Sequence, residues 1–176
     1  MDVIAGGFFA TEVNWYKNPG KEGLRLGHQW KQQLLLDTEI SQNEGQLLED
    51  LNGDGKPEWI VNTWAKDAPI YVYELTTTKK LVEVTKGGKS QQVEQQVPSL
   101  RKNLVGLRGN GHGMGVGDIN GDGYSDLLLG HGWYQNPGKD CLTTTWKYHN
   151  DWQIHGSVPM LVYDVNNDGK NDVLVG

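Results

Sequence analysis

Three short acidic stretches repeat one pattern along the chain, and they constrain its fold more than any other feature. Each has an acid or an asparagine at its first, third, fifth and ninth positions and a glycine at its sixth. They are Asp50-Leu-Asn-Gly-Asp-Gly-Lys-Pro-Glu58, Asp118-Ile-Asn-Gly-Asp-Gly-Tyr-Ser-Asp126 and Asp164-Val-Asn-Asn-Asp-Gly-Lys-Asn-Asp172. Alternate side chains of a tight loop converge on one point, so the pattern predicts three sites for a hard cation with oxygen ligands.

Each loop offers side-chain ligands at its first, third, fifth and ninth positions and a backbone carbonyl at its seventh. The predicted ligands are Asp50, Asn52, Asp54, Lys56 and Glu58 in the first loop, Asp118, Asn120, Asp122, Tyr124 and Asp126 in the second, and Asp164, Asn166, Asp168, Lys170 and Asp172 in the third. A carbonyl ligand explains why lysine and tyrosine both occur at the seventh position. Ca²⁺ is expected in preference to Mg²⁺, because Mg²⁺ prefers a rigid octahedron and keeps several of its waters.

The turn chemistry of the loops supports this assignment but leaves an alternative open. Gly53, Gly121 and Asn167 at the fourth position, with glycine at the sixth, are residue types that enter the left-handed backbone region most easily. An EF-hand would place its closing acid at position twelve, between two helices. Asparagine-rich and aspartate-rich hairpin turns without metal remain the alternative, although carboxylates packed together without a cation would repel one another.

The loops also set the length of an internal repeat. With Asp2 counted as the remnant of a further loop, the ninth-position acids stand at residues 2, 58, 126 and 172, with spacings of 56, 68 and 46 residues. A Trp-Tyr-x-Asn-Pro-Gly stretch occurs at 15–20 and again at 133–138, and its Pro and Gly are typical of a tight turn. Because Met1 interrupts a repeat, we expect residues 1–176 to form one partial domain. Its repeat units are 2–57, 58–125 and 126–171, and a further repeat starts at 172–176.

Short β-rich runs bounded by Gly, Asn and Pro predict about four strands in each unit. The expected strands are 3–6, 13–16, 29–36, 46–49, 59–63, 69–75, 80–84, 91–97, 113–117, 127–130, 132–135, 145–149, 159–163 and 173–175. The predicted fold is therefore all-β, a β-propeller segment of four-stranded antiparallel blades and about three blade periods. Complete blades are expected at 46–84 and 113–149, and an extended outer hairpin or loop at 76–98. The best helical window is 42–51.

The stretch Gly115-Val-Gly-Asp-Ile-Asn-Gly-Asp-Gly-Tyr-Ser-Asp-Leu-Leu-Leu-Gly130 resembles the FG-GAP/VCBS repeat. The resemblance implies calcium-binding hairpin loops in a β-propeller that is usually extracellular. Similar repeats occur in integrin-type adhesion proteins, secreted bacterial proteins, lectin-like modules, and some polysaccharide lyases and sugar dehydratases. The repeat therefore indicates architecture much better than activity.

Charge and composition narrow the classes of partner. Nine of the 22 acids lie in the three loops. The net charge of −6 is therefore better explained by acids that serve as metal ligands than by an electrostatic field that attracts basic partners. No cluster of basic residues is longer than the Lys79-Lys80 pair. The sequence therefore offers no basic patch for the phosphate backbone of a nucleic acid. No apolar run is long enough to span a membrane, and Cys141 is a lone cysteine. Further propeller blades or self-association are the expected partners, at the cell surface, in the periplasm or outside the cell.

Several histidines and tryptophans are candidates for ligand contacts. His112, His131 and His155 stand near strand ends where a propeller's central channel would run, and they form a candidate channel site. Hydrogen-bonded histidines at strand ends are the simpler alternative. Trp64 and Trp152 are candidate platforms for a sugar ring, whereas the other tryptophans are expected to pack between blades.

The function expected from these features is that of a calcium-stabilised binding or scaffold module of an exported protein, for protein or glycan recognition. The alternative is a fragment of a carbohydrate-active enzyme, of the lyase or sugar dehydratase type, with its site on the propeller axis. A lectin-like glycan binder is a third class. The sequence assigns no catalytic residue, because it contains no nucleophile elbow, P-loop or zinc-protease helix.

Overall fold

The computed structural model describes residues 1–109, 111–154 and 158–176, and the regular structure in these ranges is almost entirely β. The strands are β1 (Val3–Gly6), β2 (Glu12–Lys17), β3 (Lys31–Asp37), β4 (Asn43–Glu49), β5 (Glu58–Thr63), β6 (Ile70–Lys86), β7 (Lys89–Gly106), β8 (Gly115–Gly117), β9 (Asp126–Leu129), β10 (Gly132–Gln135), β11 (Lys147–His149), β12 (Met160–Tyr163) and β13 (Asp172–Val175). A short helix, α1 (Gly20–Arg25), and a 3₁₀ turn (Gly138–Asp140) follow the two Asn-Pro-Gly turns.

The strands form antiparallel sheets in which neighbours in space are also neighbours in sequence. The first sheet is β1-β2-β3, the second β4-β5-β6-β7, the third β8-β9-β10-β11 and the fourth β12-β13. The second and third sheets confirm the predicted all-β fold with four-stranded antiparallel blades. In the second, third and fourth sheets, an acidic loop joins the first strand to the second.

The sheets stack face to face, so that the middle strands are buried on both sides. In β5, Trp59 and Val61 pack towards the first sheet with Val13 and Leu35. Ile60, between them in sequence, packs on the other side in the cluster that contains Leu127 and Leu129 of β9. Leu128 of β9 in turn packs with Met160 of the fourth sheet. This double burial explains why β5 and β9 are continuous buried runs rather than alternating ones.

Glycines allow the first strands of the third and fourth sheets to approach closely. Gly113, Gly115 and Gly117 stand at alternate positions and therefore share one face of the chain. A Cβ atom on Gly115 would lie 2.8 Å from Cβ of Met160, and one on Gly117 would lie 2.6 Å from Cβ of Val162. The Gly-x-Gly-x-Gly spacing is thus a packing requirement where β8 meets β12.

The outer part of the second sheet is a long hairpin. β6 and β7 pair from Ile70↔Gly106 out to Lys86↔Lys89, and Gly87 and Gly88 form the two-residue turn with φ of 60° and 76°. Positive φ at both positions is the signature of a type I′ turn, which matches the twist of the two strands. The expected hairpin at 76–98 is confirmed.

One expectation about local structure was wrong, and one element was missed. The first complete blade extends over 43–106 rather than 46–84, because 80–84 continues β6 and the fourth strand is β7. The expected strand at 46–49 is confirmed within β4, whose pairing with β5 outweighs the weak helix propensity of the window 42–51. Helix α1 was not predicted. It is short and largely exposed, and Gly23 is its only buried residue.

The close approach of β8 and β12 predicts that Gly115→Ala destabilises the chain. The added methyl would meet the Met160 side chain and its carbonyl oxygen, 2.9 Å away. Overpacking of this kind typically costs about 1–3 kcal/mol. Urea denaturation should show that loss, whereas the control Gly6→Ala, whose Cβ would lie 3.6 Å from its nearest neighbours, should change the free energy of unfolding by less than about 0.5 kcal/mol. Equal stability of the two variants would contradict the packing described for β8.

Candidate metal centres

The three acidic loops share one hydrogen-bonding arrangement around the first-position aspartate. Asp50 accepts hydrogen bonds from the backbone N–H groups of Gly53, Asp54 and Gly55 at 2.9, 3.1 and 2.8 Å. Asp118 accepts the equivalent three at 2.7, 3.1 and 2.8 Å, and Asp164 accepts those of Asp168 and Gly169 at 3.1 and 2.8 Å. The first aspartate therefore folds the loop around its own carboxylate.

The ninth-position acid closes each loop from the other side. Glu58 accepts the N–H of Leu51 at 3.0 Å, Asp126 that of Ile119 at 3.1 Å, and Asp172 that of Val165 at 3.1 Å. Each acid is also the first residue of the second strand of its sheet. The ninth position therefore fixes the loop to the strand that follows it.

Backbone angles agree with the turn chemistry predicted for the loops. At the fourth position φ is 74° for Gly53, 79° for Gly121 and 60° for Asn167. At the sixth position the glycines have φ between 84° and 89°. Because these values lie in the left-handed region, residues with a branched or bulky side chain would be strained there.

Burial gives the ninth-position acids of the first two loops, Glu58 and Asp126, an unusual electrostatic environment. Burial raises the pKa of Asp126 to about 6, with a smaller contribution from the charges of Asp122 and Asp118, although the N–H donors of Asn136 and Ile119 act in the opposite direction. Burial also raises the pKa of Glu58, and the charges of Asp54 and Asp50 add to it. A cation among these carboxylates would favour their ionised forms.

The donors of each loop suit a hard cation, because they are carboxylate, amide and carbonyl oxygens. Among the described residues, no three His, Cys, Asp or Glu side chains are gathered closely enough to hold a metal ion as they stand. The first and ninth carboxylates accept hydrogen bonds from backbone N–H groups, and so do the exposed fifth-position acids Asp54, Asp122 and Asp168, each from the seventh residue of its loop. The metal assignment stays a prediction.

Residues 50–129, from the first acidic loop to the end of β9, match the FG-GAP-like repeat family. This stretch is an FG-GAP-like repeat. The resemblance inferred from the sequence is confirmed over that range, and the third loop, which lies beyond it, repeats most of the same hydrogen bonds. Comparisons with curated proteins and with solved structures gave no significant match. In the described part of the chain, no helix is long and apolar enough to cross a membrane.

Asp2 occupies the place of a ninth-position acid, as the repeat spacing suggested. It accepts the N–H of Asn18 at 2.9 Å, as Asp126 accepts that of Asn136 at 2.8 Å. The side-chain amides of the two asparagines donate to the carbonyls of Met1 and Ser125, each 2.9 Å away and each just before the acid. Asp2 therefore stands directly before β1, much as Asp126 stands at the start of β9, the strand that follows the second acidic loop.

Asn136 links two acidic loops, although its sequence context predicts only a tight turn. Its buried amide donates to the carbonyl of Ser125 in the second loop and, at 2.8 Å, to that of Leu51 in the first. Its Oδ1 accepts the N–H of Gly138 at 2.8 Å. The recurrence of Asn-Pro-Gly in the sequence was the available signal, but the link to the first loop could be seen only in three dimensions.

Position eight of the loops makes further links between neighbouring sheets. The hydroxyl of Ser125 donates to Oε1 of Glu49, just before the first loop, at 2.7 Å. The amide of Asn171 donates to the carbonyl of Asp118, which opens the second loop, at 2.6 Å. Consecutive acidic loops are therefore connected to one another along one edge of the stacked sheets.

His112 and Trp64, proposed separately from the sequence, lie together at the opposite edge. Their ring centroids are 4.0 Å apart, and Phe8 lies 6.1 Å from Trp64. Nδ1 of His112 contacts the carboxylate of Glu44. Since 47% of the Trp64 surface remains exposed, one part of its ring is available to a ligand.

The other candidates occupy different environments. His131 is half-buried, and its ring nitrogens contact the hydroxyl of Tyr148 at 2.8 Å and the carbonyl of Gly109 at 3.2 Å. Trp152 is half-buried against the cluster of Leu128, Trp133 and Met160, and its indole N–H donates to the carbonyl of Leu129 at 2.9 Å. That environment is a packing position rather than an open platform. His155 lies outside the described residues.

The buried amide of Asn136 predicts a clear stability difference between equivalent positions. Asn136→Ala leaves the carbonyls of Leu51 and Ser125 without their donor, which should lower the free energy of unfolding by about 1–3 kcal/mol. Asn18→Ala removes the equivalent but exposed bonds and should cost less than about 1 kcal/mol. Chemical denaturation of both variants provides the measurement, and equal losses would contradict a special role for the link between loops.

Proposed function

We propose that the chain is a calcium-stabilised, β-propeller-like binding module in which each acidic loop holds one Ca²⁺. The observation that carries the proposal is the repetition of one loop geometry at three places, each at the junction of the first two strands of a sheet. Turns without metal need an acid at one position to cap the loop. They do not need acids or asparagines at all four of the repeated positions.

The ligands in this proposal are the side chains at positions one, three, five and nine of each loop, with the carbonyls of Lys56, Tyr124 and Lys170 at position seven. A bound Ca²⁺ would supply the positive charge that these carboxylates lack. The buried Asp126 supports this assignment most strongly, because its charge is disfavoured by burial and by two neighbouring acids. In such a site the ion is structural, since its ligands hold one strand to the next.

The proposed role of the module is recognition of a protein or a glycan rather than catalysis. Trp64 with His112 offers an exposed aromatic surface beside the polar contact of His112 with Glu44, which suits a sugar ring or a polar peptide. The alternative, a fragment of a carbohydrate-active enzyme, would need several acids or histidines to face one point. In the described residues this edge brings His112 to Glu44, and a single pair of this kind also serves as an ordinary salt bridge.

Export of the protein is part of the same proposal. Sites built from single loops of this kind fit the affinity range of extracellular calcium modules, a Kd of about 10⁻⁴–10⁻³ M. Such sites fill where calcium is abundant. We therefore place the module at the cell surface, in the periplasm or outside the cell, with protein or glycan ligands.

Calcium should raise the melting temperature of the chelator-treated protein. At 10 mM Ca²⁺ a site with that Kd stabilises the folded state by about 1.4–2.7 kcal/mol. For a chain of this length the increase corresponds to about 3–10 °C for each occupied site. Scanning calorimetry with Ca²⁺, with Mg²⁺ and with EDTA provides the measurement.

A matched pair of variants makes the melting experiment specific. Asp122→Asn should reduce the calcium-dependent rise, because it removes a ligand charge at an exposed position. Asp140→Asn, an exposed acid outside the loops, should keep the full rise. A melting temperature that does not respond to Ca²⁺, or that responds equally to Mg²⁺, would refute the calcium assignment.

A further inference from the structure

A polar cavity lies between the second and third sheets, at the edge opposite the acidic loops. It has a volume of about 410 Å³. Its lining comes from the segments just before β6, just after β7 and just before β10, and from β11 with the segment that follows it. It includes Asp67, Arg108, His131, Tyr148, Asn150 and Gln153. We propose that this cavity binds a small ligand that carries one carboxylate and several hydroxyl groups, such as a sugar acid.

Arg108 provides the main argument for an anionic ligand. Its guanidinium carbon lies 4.8 Å from the centroid of the Tyr148 ring, and its backbone N–H donates to the hydroxyl of Tyr134 at 2.8 Å. The backbone bond and the stacked ring hold this exposed side chain at the cavity. None of the ion pairs found among the described residues includes Arg108. Its charge and its planar fork of donors are therefore not committed to an acid there.

Tyr148 and His131 form a second polar group beside Arg108. The hydroxyl of Tyr148 donates its single proton to the carbonyl of His131. The same hydroxyl oxygen lies 2.8 Å from Nδ1 of His131, whose Nε2 faces the carbonyl of Gly109 at 3.2 Å. These three contacts fix the orientations of the His131 and Tyr148 rings in the cavity wall beside the guanidinium.

The lining also indicates what kind of anion fits. A guanidinium binds the two oxygens of a carboxylate through two parallel hydrogen bonds. Asp67, in the same lining, disfavours a doubly charged group such as phosphate more than a singly charged carboxylate. The amides of Asn150 and Gln153 both donate and accept hydrogen bonds, as hydroxyl groups do. A cavity of this size is at the lower end of the range for small-molecule sites.

The inference rests on the proposed function, because it gives the recognition module a ligand class and a site. Isothermal titration of the calcium-loaded chain with glucuronate tests it, with glucose and inorganic phosphate as the comparison ligands. Glucuronate should bind more tightly than either. Arg108→Gln should weaken glucuronate binding about tenfold or more, because it removes a charge-assisted pair of hydrogen bonds.

Arg101→Gln is the matched control, since Arg101 is an exposed arginine that pairs with Glu74 outside the cavity lining. Its affinity for glucuronate should equal that of the unchanged protein. Binding of glucose as tight as that of glucuronate, tighter binding of phosphate, or an Arg108→Gln variant with unchanged affinity would each overturn the proposal.

The two proposals can fail separately. If Ca²⁺ raises the melting temperature but glucuronate does not bind, the cavity assignment is wrong and the calcium-stabilised module stands. If glucuronate binds through Arg108 but Ca²⁺ has no effect on melting, the cavity assignment stands and the calcium assignment is wrong.

Discussion

The acid at the ninth position of each loop, which is buried in the first two loops as Glu58 and Asp126, is the constraint on which the rest of the structure depends. Asp126 holds the N–H of Ile119 within its loop and the N–H of Asn136 in the turn after β10. One carboxylate therefore joins the loop, the second strand and the end of the third strand. Because Asp126 is buried and other acids are near, this arrangement places negative charge where only a cation or a proton can balance it.

The stacking of the sheets follows from the same repeat. In the second, third and fourth sheets, the second strand begins with the ninth-position acid. This acid fixes which of the following side chains lie on each face of the strand. In β5 and β9, successive residues therefore pack against opposite neighbouring sheets, and both faces are buried. The loops are linked along one edge by Asn136, Ser125 and Asn171, and the recognition candidates lie along the other. The fold thus places the linked loops and the candidate recognition residues along different edges of the stacked sheets.

The parts of the structure that obey local rules could be predicted from the sequence. The spacing of the acids gave the repeat and the strand that follows each loop, and the equivalence of Asp2 with Asp126 was found in the hydrogen bonds. Glycine and asparagine identified the left-handed positions of the loops. These features depend on residues within about ten positions of one another, where turn chemistry and strand periodicity are strongest.

The features that could not be predicted depend on contacts distant in sequence. Pairing of β6 with β7 over the whole length of the hairpin merged the expected strands 69–75 and 80–84 into β6 and extended the expected strand 91–97 into β7. The amide of Asn136 reaches a carbonyl 85 positions away. The cavity at Arg108 combines segments from two sheets, and neither segment contains a motif that predicts it. The paired position of Trp64 and His112 likewise arises only when the second sheet folds against the strand that precedes the middle loop.

Calcium stoichiometry tests the central claim most directly. Equilibrium dialysis of the chelator-treated chain against Ca²⁺ should give three bound ions for each chain, one for each acidic loop. Asp126→Asn should reduce that number to two, because it removes the closing carboxylate of one loop and leaves the other loops unchanged. A chain that binds no calcium, or a variant that still binds three ions, would contradict the account.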